Sequence, residues 1–272
     1  MIAGRLPVDS EDRTRVELSI VIPAYNSGAS IAGVIARLAD YCRGRGLVHE
    51  LIVVDDGSGD ETRMTLLAAQ RQYPELRILR NEPNRGKGYS VRRAYAECAG
   101  ANVVFTDADL PYGLGPIEAA VTALDAGADL AIGSRVLPES RFRMNARHFP
   151  YIFIRHLLGR TLVKTVNLMF RLNVSDTQCG IKACRRSAAR YIASRLTIDR
   201  FVFDVELLHV ARKAGYRIVE IPVELDYTGK VTTVRILRDA LFVLFGLWKI
   251  KFADWRGRYE PGESDDFITR TE

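Results

Sequence analysis

Residues 18–56 read LSIVIPAYNSGASIAGVIARLADYCRGRGLVHELIVVDD. Leu18 to Pro23 is an apolar run of strand length. Ser30 to Tyr41 then sets Ile31, Val34, Ile35 and Leu38 at helical spacing, and Glu50 to Asp55 is a second apolar strand. The alternation continues outward from this unit. Asp60 to Tyr73 reads as a helix with Ser58 or Asp60 as its N-cap, and Leu76 to Leu79 as a strand. Lys87 to Ala99 is helical, Asn102 to Thr106 a strand, Pro116 to Ala126 a helix and Asp129 to Gly133 a strand. Strands without a polar face, alternating with helices at short intervals, predict an α/β fold whose mostly parallel sheet is covered on both faces. Ligands of such sheets bind beyond the carboxyl ends of the strands.

The second half reads differently. His148 to Phe170 is a long apolar and basic helical stretch, and DTQCGIK (176–182) is a turn entering a short strand. Phe203 to Lys213 is helical, Tyr216 to Val223 a strand and Val234 to Trp255 a last apolar helix. Polar tails are expected to flank the fold, flexible over 1–16 and acidic and flexible over 256–272.

A chain of 272 residues, 47% apolar and 26% charged, suits one large α/β domain or two small ones. That composition excludes collagen-like, disulfide-scaffold and wholly disordered chains. Cys42, Cys98, Cys179 and Cys184 form no C-x-x-C pair, so neither a zinc site nor a disulfide framework is expected, and a reducing compartment fits. The first fifteen residues have no apolar stretch of signal-peptide type. The longest apolar run, Ala240 to Trp248, is nine residues, against about twenty for a membrane span.

Net charge is +6, and it is concentrated. Between Arg135 and Arg171 eight basic residues face one acidic residue, Glu139. That region calls for anionic company: phosphate, anionic lipid or nucleic acid. The same stretch is apolar, with Arg155, Arg160 and Lys164 every four to five residues, which reads as a basic amphipathic helix at a membrane surface. The last helix carries both tryptophans, Trp248 and Trp255, with Arg235 and Arg238 at one end and Lys249 and Lys251 at the other. A core helix or a dimer interface is the plainer reading of each. Nucleic acid is not expected, because the basic stretch offers few aromatics for stacking and no binding motif appears.

Each early strand ends in residues suited to a nucleotide. Pro23-Ala24-Tyr25-Asn26 offers an aromatic ring for a base or ribose. Asp55 and Asp56, in DDGSGD, offer carboxylates to base or ribose, although Asp-Gly also marks turns. NRGKG (84–88) places flexible backbone and two cations, Arg85 and Lys87, at a helix N-terminus, which suits phosphates. Asp107-Ala108-Asp109 sets two carboxylates at a strand end, where they can converge on Mg²⁺ or Mn²⁺ or form a capped turn before Pro111.

Taken together and in this order, PAYN, VVDDGSGDET, NRGKGYSVRRAYAECAG, TDADL and GSR resemble the inverting family 2 glycosyltransferases, which have the Rossmann-like GT-A fold. The Lys of NRGKG, DTQCGIK and FDVELL narrow the resemblance to polyprenyl-phosphate sugar synthases, and DTQCG followed by FDVELL to the dolichyl-phosphate β-glucosyltransferase branch. It covers about residues 17–232, the expected GT-A domain, and leaves 233–255 as an interfacial helix. It implies that Pro23, Tyr25, Asn26, Asp55, Asp56, Lys87, Asp107 and Lys230 hold the nucleotide-sugar. It makes Asp107 and Asp109 the metal ligands, with Asp109 the more direct, and Arg135 and Arg147 the receivers of the acceptor phosphate. Ser27 stands where the family often has Glu, and Pro111 where some mannosyl members have Gln; both point away from mannose.

The implied reaction moves a hexose, with UDP-glucose the first candidate, to polyprenyl or dolichyl phosphate with inversion. A lipid monophosphate is already anionic and needs positioning more than deprotonation. Asp204 and Glu206, in FDVELL, are the candidates if a base exists; helix capping or an ion pair is their plain alternative. Asp176 reads as site-shaping. The expected location is cytoplasmic, peripheral on the inner face of the cell membrane, with a membrane partner subunit or a homo-oligomer left open. The alternatives are a GDP-mannose enzyme, a family 2 enzyme with a soluble or glycan acceptor, and a silent lipid-binding subunit.

Overall fold

The computed structural model describes residues 16–144, 149–227 and 236–260. Seven strands form the main sheet: β1 (Leu18–Ala24), β2 (His49–Asp55), β3 (Leu76–Arg80), β4 (Asn102–Thr106), β5 (Leu130–Ser134), β7 (Ile181–Arg185) and β8 (Ile218–Pro222). Their order is β3-β2-β1-β4-β7-β5-β8. β6 (Arg141–Met144) and β9 (Glu224–Tyr227) pair in parallel as a separate two-stranded sheet. Helices α1 (Gly28–Gly44), α2 (Thr62–Gln72), α3 (Lys87–Glu97), α4 (Gly115–Asp125), α5 (Phe149–Phe170), α6 (Arg186–Arg195), α7 (Phe203–Lys213) and α8 (Ile236–Trp255) complete the described elements.

The sheet is mostly parallel, as the sequence predicts, with one exception. β7 runs antiparallel to both neighbours, β4 and β5. The DTQCGIK turn feeds it, and Ile181, Ala183 and Cys184 bury on both faces of the sheet. One apolar cluster lies on each face. Val21, Ile52, Val54 and Phe105 point to the side of α3, α6 and α7, whereas Ile20, Ile22, Leu51 and Val53 point to the side of α1 and α4. This alternation of strand side chains is why continuous apolar runs are needed. α6 has a weak helical signal, because RSAARYIASR shows mainly arginine and alanine, yet Ala188, Ala189, Tyr191 and Ile192 bury one face of it. All four cysteines are free and buried, and burial pushes the Cys98 and Cys179 thiols up to about 11.

No helix among the described residues is long and apolar enough to cross a membrane. α8 buries Val243, Leu247 and Ile250 against the core and turns Phe242, Phe245, Trp248, Phe252 and Trp255 outward. Phe245 is 72% and Trp255 80% exposed. The chain does not loosen directly after α8: the Tyr259 ring is buried and its hydroxyl donates to Glu206 Oε1 at 2.6 Å. The expected flexible tail from 256 is corrected to that extent; 261–272 lie outside the described residues.

Candidate active site

The ends of β1 and β2 are stitched together. Asn26 takes a left-handed φ of +50°, its N–H donates to Ser58 Oγ at 3.0 Å, and its Oδ1 accepts from Gly59 N–H at 3.0 Å. Tyr25 beside it is exposed, free to stack. Asp55 and Asp56 are buried and already partnered. Asp55 accepts from Ser58 N–H at 2.9 Å and from Arg80. Asp56 Oδ1 accepts from Asn81 Nδ2 and Arg85 N–H, and its Oδ2 from Gly86 N–H at 2.7 Å. Asp56 therefore shapes the NRGKG loop from within. Gly86 sits at φ +103° with its α-carbon against the Asp199 carbonyl, so a side chain there has neither the backbone angle nor the space.

That loop delivers Lys87 to the end of β4. Its Nζ lies 2.6 Å from Asp107 Oδ1 and packs over the Phe105 and Phe203 rings. Burial pulls the Lys87 ammonium down, but Asp107, Asp204 and Asp109 outweigh it and hold its pKa above the ordinary lysine value. Asp109 is raised as well, but here the charged form is the one disfavoured: burial first, then the Asp107 charge, pushes its carboxyl up. Asp107 is closed in from behind by Gly180, the glycine of DTQCGIK, whose missing side chain leaves the space the Asp107 carboxylate fills. β7 lies beside β4, with Thr106 paired to Ile181, which is what brings the two motifs together.

A buried ion pair stands behind this cluster. Lys182, fully buried in β7, donates to Asp204 Oδ1 at 2.6 Å and to the Cys179 carbonyl at 2.8 Å. Charges thus alternate through Lys182, Asp204, Lys87 and Asp107. Lys182 has no function readable from its motif; a charge set between apolar residues of a buried strand is the signal that it has a buried partner. Glu206, one of the two base candidates, is a brace. It accepts from Thr197 N–H and Oγ1, Ile198 N–H and the Tyr259 hydroxyl, and is shut from solvent. Asp204 remains beside the cluster, tied to Lys182.

At the end of β5, Arg135 forms a two-pronged pair with Asp176: Nε to Oδ2 at 2.7 Å and Nη2 to Oδ1 at 2.9 Å. Burial pushes the Asp176 carboxyl up, but the Arg135 hydrogen bonds prevail and hold it below the usual range. Glu220 of β8 steadies the loop by accepting from the N–H groups of Ser175 and Asp176. Asp176 thus fixes the Arg135 side chain and its own turn. Arg147 and Lys230 lie outside the described residues.

Asp107 and Asp109 supply the carboxylate oxygens that a divalent cation such as Mg²⁺ or Mn²⁺ takes. Among the described residues no group of three metal-ligating side chains forms, so the pair fits a cation shared with a ligand's phosphates rather than a cage made by protein alone.

Comparison with known proteins agrees with this geometry. "Glycosyl transferase family 2" matches residues 19–192. The chain is 30% identical to the dolichyl-phosphate beta-glucosyltransferase of Drosophila melanogaster, over 88% of this chain and 79% of that one. It is 29% identical to the enzyme of the same name from Saccharomyces cerevisiae, over 89% and 79%. Among solved structures, glucosyl-3-phosphoglycerate synthase from Mycobacterium tuberculosis, in complex with Mn²⁺, UDP and phosphoglyceric acid, superposes with a TM-score of 0.57 at 21% identity, over 93% of this chain and 82% of that one. The fold is GT-A, and the chain belongs to glycosyl transferase family 2.

Proposed function

We propose that the protein transfers glucose from UDP-glucose to dolichyl or another polyprenyl phosphate, with inversion. The observation that carries this reading is the likeness, across nearly nine-tenths of the chain, to proteins named dolichyl-phosphate beta-glucosyltransferase. The site supports it chemically. An oxygen of the acceptor phosphate bonds to the anomeric carbon while the bond from that carbon to the diphosphate breaks. The bonding pair leaves with UDP. Tyr25, Asn26 and the loops held by Asp55 and Asp56 receive the nucleoside, with Pro23 ahead of them. Asp107 and Asp109 would hold a divalent cation, which supplies neutralisation of the diphosphate's growing charge. Lys87 adds a second cation on the same side, and the resemblance gives Lys230 the same role toward the diphosphate. Arg135, locked by Asp176, orients the acceptor side together with Arg147. Asp204 acts on Lys87 through charge. The acceptor carries its own negative charge, so the reaction needs no further base.

The outward aromatic face of α8 supports a place on a membrane surface, at the cytoplasmic leaflet where the lipid phosphate and soluble nucleotide-sugar meet. The test is direct. Purified protein is incubated with a short polyprenyl phosphate, Mg²⁺ or Mn²⁺, and UDP-glucose, GDP-mannose or UDP-N-acetylglucosamine separately. Glucose is expected in the lipid phase, and Asp109→Asn is expected to lower transfer by at least about 100-fold. Transfer from GDP-mannose alone overturns the sugar. Nucleotide release without lipid product overturns the acceptor.

A further inference from the structure

The charge excess of residues 135–171 leads to a groove of 280 Å³ lined by Val136, Arg160, Val163, Lys164 and Ser175. Val136 follows Arg135 in the chain and Ser175 precedes Asp176, so the groove adjoins the buried Arg135–Asp176 pair. Arg160 and Lys164 sit one turn apart on α5, and both are exposed. Among the described residues neither has a carboxylate partner. Ser175 is already engaged with Glu220 and Ser134.

We propose that this groove is a phosphate-monoester subsite. Arg160 and Lys164 take the headgroup of the lipid acceptor, and Val136 and Val163 flank the start of its hydrocarbon chain. The assignment rests on the acceptor class proposed above and adds to it the residues that supply the charge. Arg135 by itself is a poor receiver. Its guanidinium is neutralised by Asp176 through two hydrogen bonds, and Asp176 repels an incoming anion. Arg160 and Lys164 bring two positive charges against the Glu220 carboxylate behind Ser175, leaving about +1 to meet a phosphate monoester of about −1.5 to −2 at neutral pH. The Arg135–Asp176 pair, next in the chain to Val136 and Ser175, fixes the position of those two walls, while the two cations of α5 hold the ligand. The surroundings suit a lipid. Leu168, one turn beyond Lys164, is 83% exposed, and Lys251 of α8 donates to the Met169 carbonyl at 3.4 Å, tying the aromatic-faced helix to the same element.

The experiment is calorimetric titration of the full chain with a short, water-soluble polyprenyl phosphate, and separately with UDP-glucose in the presence of Mn²⁺. The double variant Arg160→Gln/Lys164→Gln is expected to bind the polyprenyl phosphate at least about tenfold more weakly and UDP-glucose within about twofold of the parent. The charge-keeping variant Arg160→Lys/Lys164→Arg is expected to retain most of the affinity. Inorganic phosphate is expected to compete with the polyprenyl phosphate in the parent. Unchanged affinity in the double variant overturns the proposal. So does a variant that keeps that affinity but loses flotation with acceptor-free anionic vesicles, which gives the pair to membrane headgroups. A parent that binds UDP-glucose but no polyprenyl phosphate overturns the acceptor class itself.

Discussion

A methyl group added at Gly180 would overlap the Asp107 carboxylate, so Gly180→Ala is expected to move the catalytic cluster while leaving the fold in place. A displacement on the order of 1 Å can cost about 100-fold in rate. The expected outcome is a loss of that order in kcat/KM for glucosyl transfer, with an unaltered circular dichroism spectrum. An active Gly180→Ala would show that Asp107 is not held where the structure places it. At this scale the sequence was legible where motifs at neighbouring strand ends bring their residues together, as at Asp107, Asp109 and Lys87. It was silent about partners. Asp55 and Asp56 read as ligand-facing carboxylates, yet both bind the protein's own loops. Glu206 is open in the sequence between a base and a capping or paired carboxylate, and its partners are backbone groups at Thr197 and Ile198 and a tyrosine 53 residues away. Contacts of that separation leave no trace in local spacing.

The helix α8 has two apolar faces with different fates, and that difference can be measured. Val243, Leu247 and Ile250 pack inward, while Phe245, Trp248, Phe252 and Trp255 face out. Phe245→Ser/Trp248→Ser is expected to lower binding to anionic vesicles at least about tenfold, since each large apolar side chain contributes about 1.5–3 kcal/mol on leaving water. Titrating UDP binding alongside checks that the donor site is intact. Vesicle flotation equal to the parent would return this face to some other contact. The elements themselves were largely readable. Continuous apolar strands and the helical spacing of α1, α3, α4, α5, α7 and α8 gave boundaries within a few residues of those observed. β7 was readable as a strand but not in its direction, because burial on both faces is the same for parallel and antiparallel neighbours. Among the described residues β6 and β9 pair with each other alone, and a four-residue run has too little pattern to register.

Across the whole molecule, α8 and the turn after it are anchored by a polar knot around His209 of α7. Its Nε2 lies 3.2 Å from Asp254 Oδ1, and its ring packs edge-on against Phe170 and Tyr259. Burial, more than the opposing attraction of Asp254, lowers the His209 pKa, with Lys213 and Lys251 adding to the decrease. The folded protein therefore binds fewer protons here than the unfolded chain as pH falls through about 6.5, so stability declines on acidification. Asp254, whose carboxyl lies below its ordinary value, keeps its contribution until the carboxylate range is reached. Thermal melts between about pH 7.5 and pH 5.5 are expected to show a falling midpoint, and His209→Gln a shallower slope. Parallel slopes would assign the acid sensitivity elsewhere. The strand order has a separate consequence for how the chain is born. β5 pairs only with β7 and β8, both made later, and one edge of β4 waits for the same β7. During synthesis the first four strands can assemble as they emerge from the ribosome. Residues 130–134 have no partner until about fifty more residues have been added. The nascent chain thus carries an open sheet edge through that interval, and the segment that fills the gap between β4 and β5 also brings Gly180 against Asp107 and Lys182 to Asp204, so one late strand joins the two halves of the sheet and shapes the candidate site in the same step.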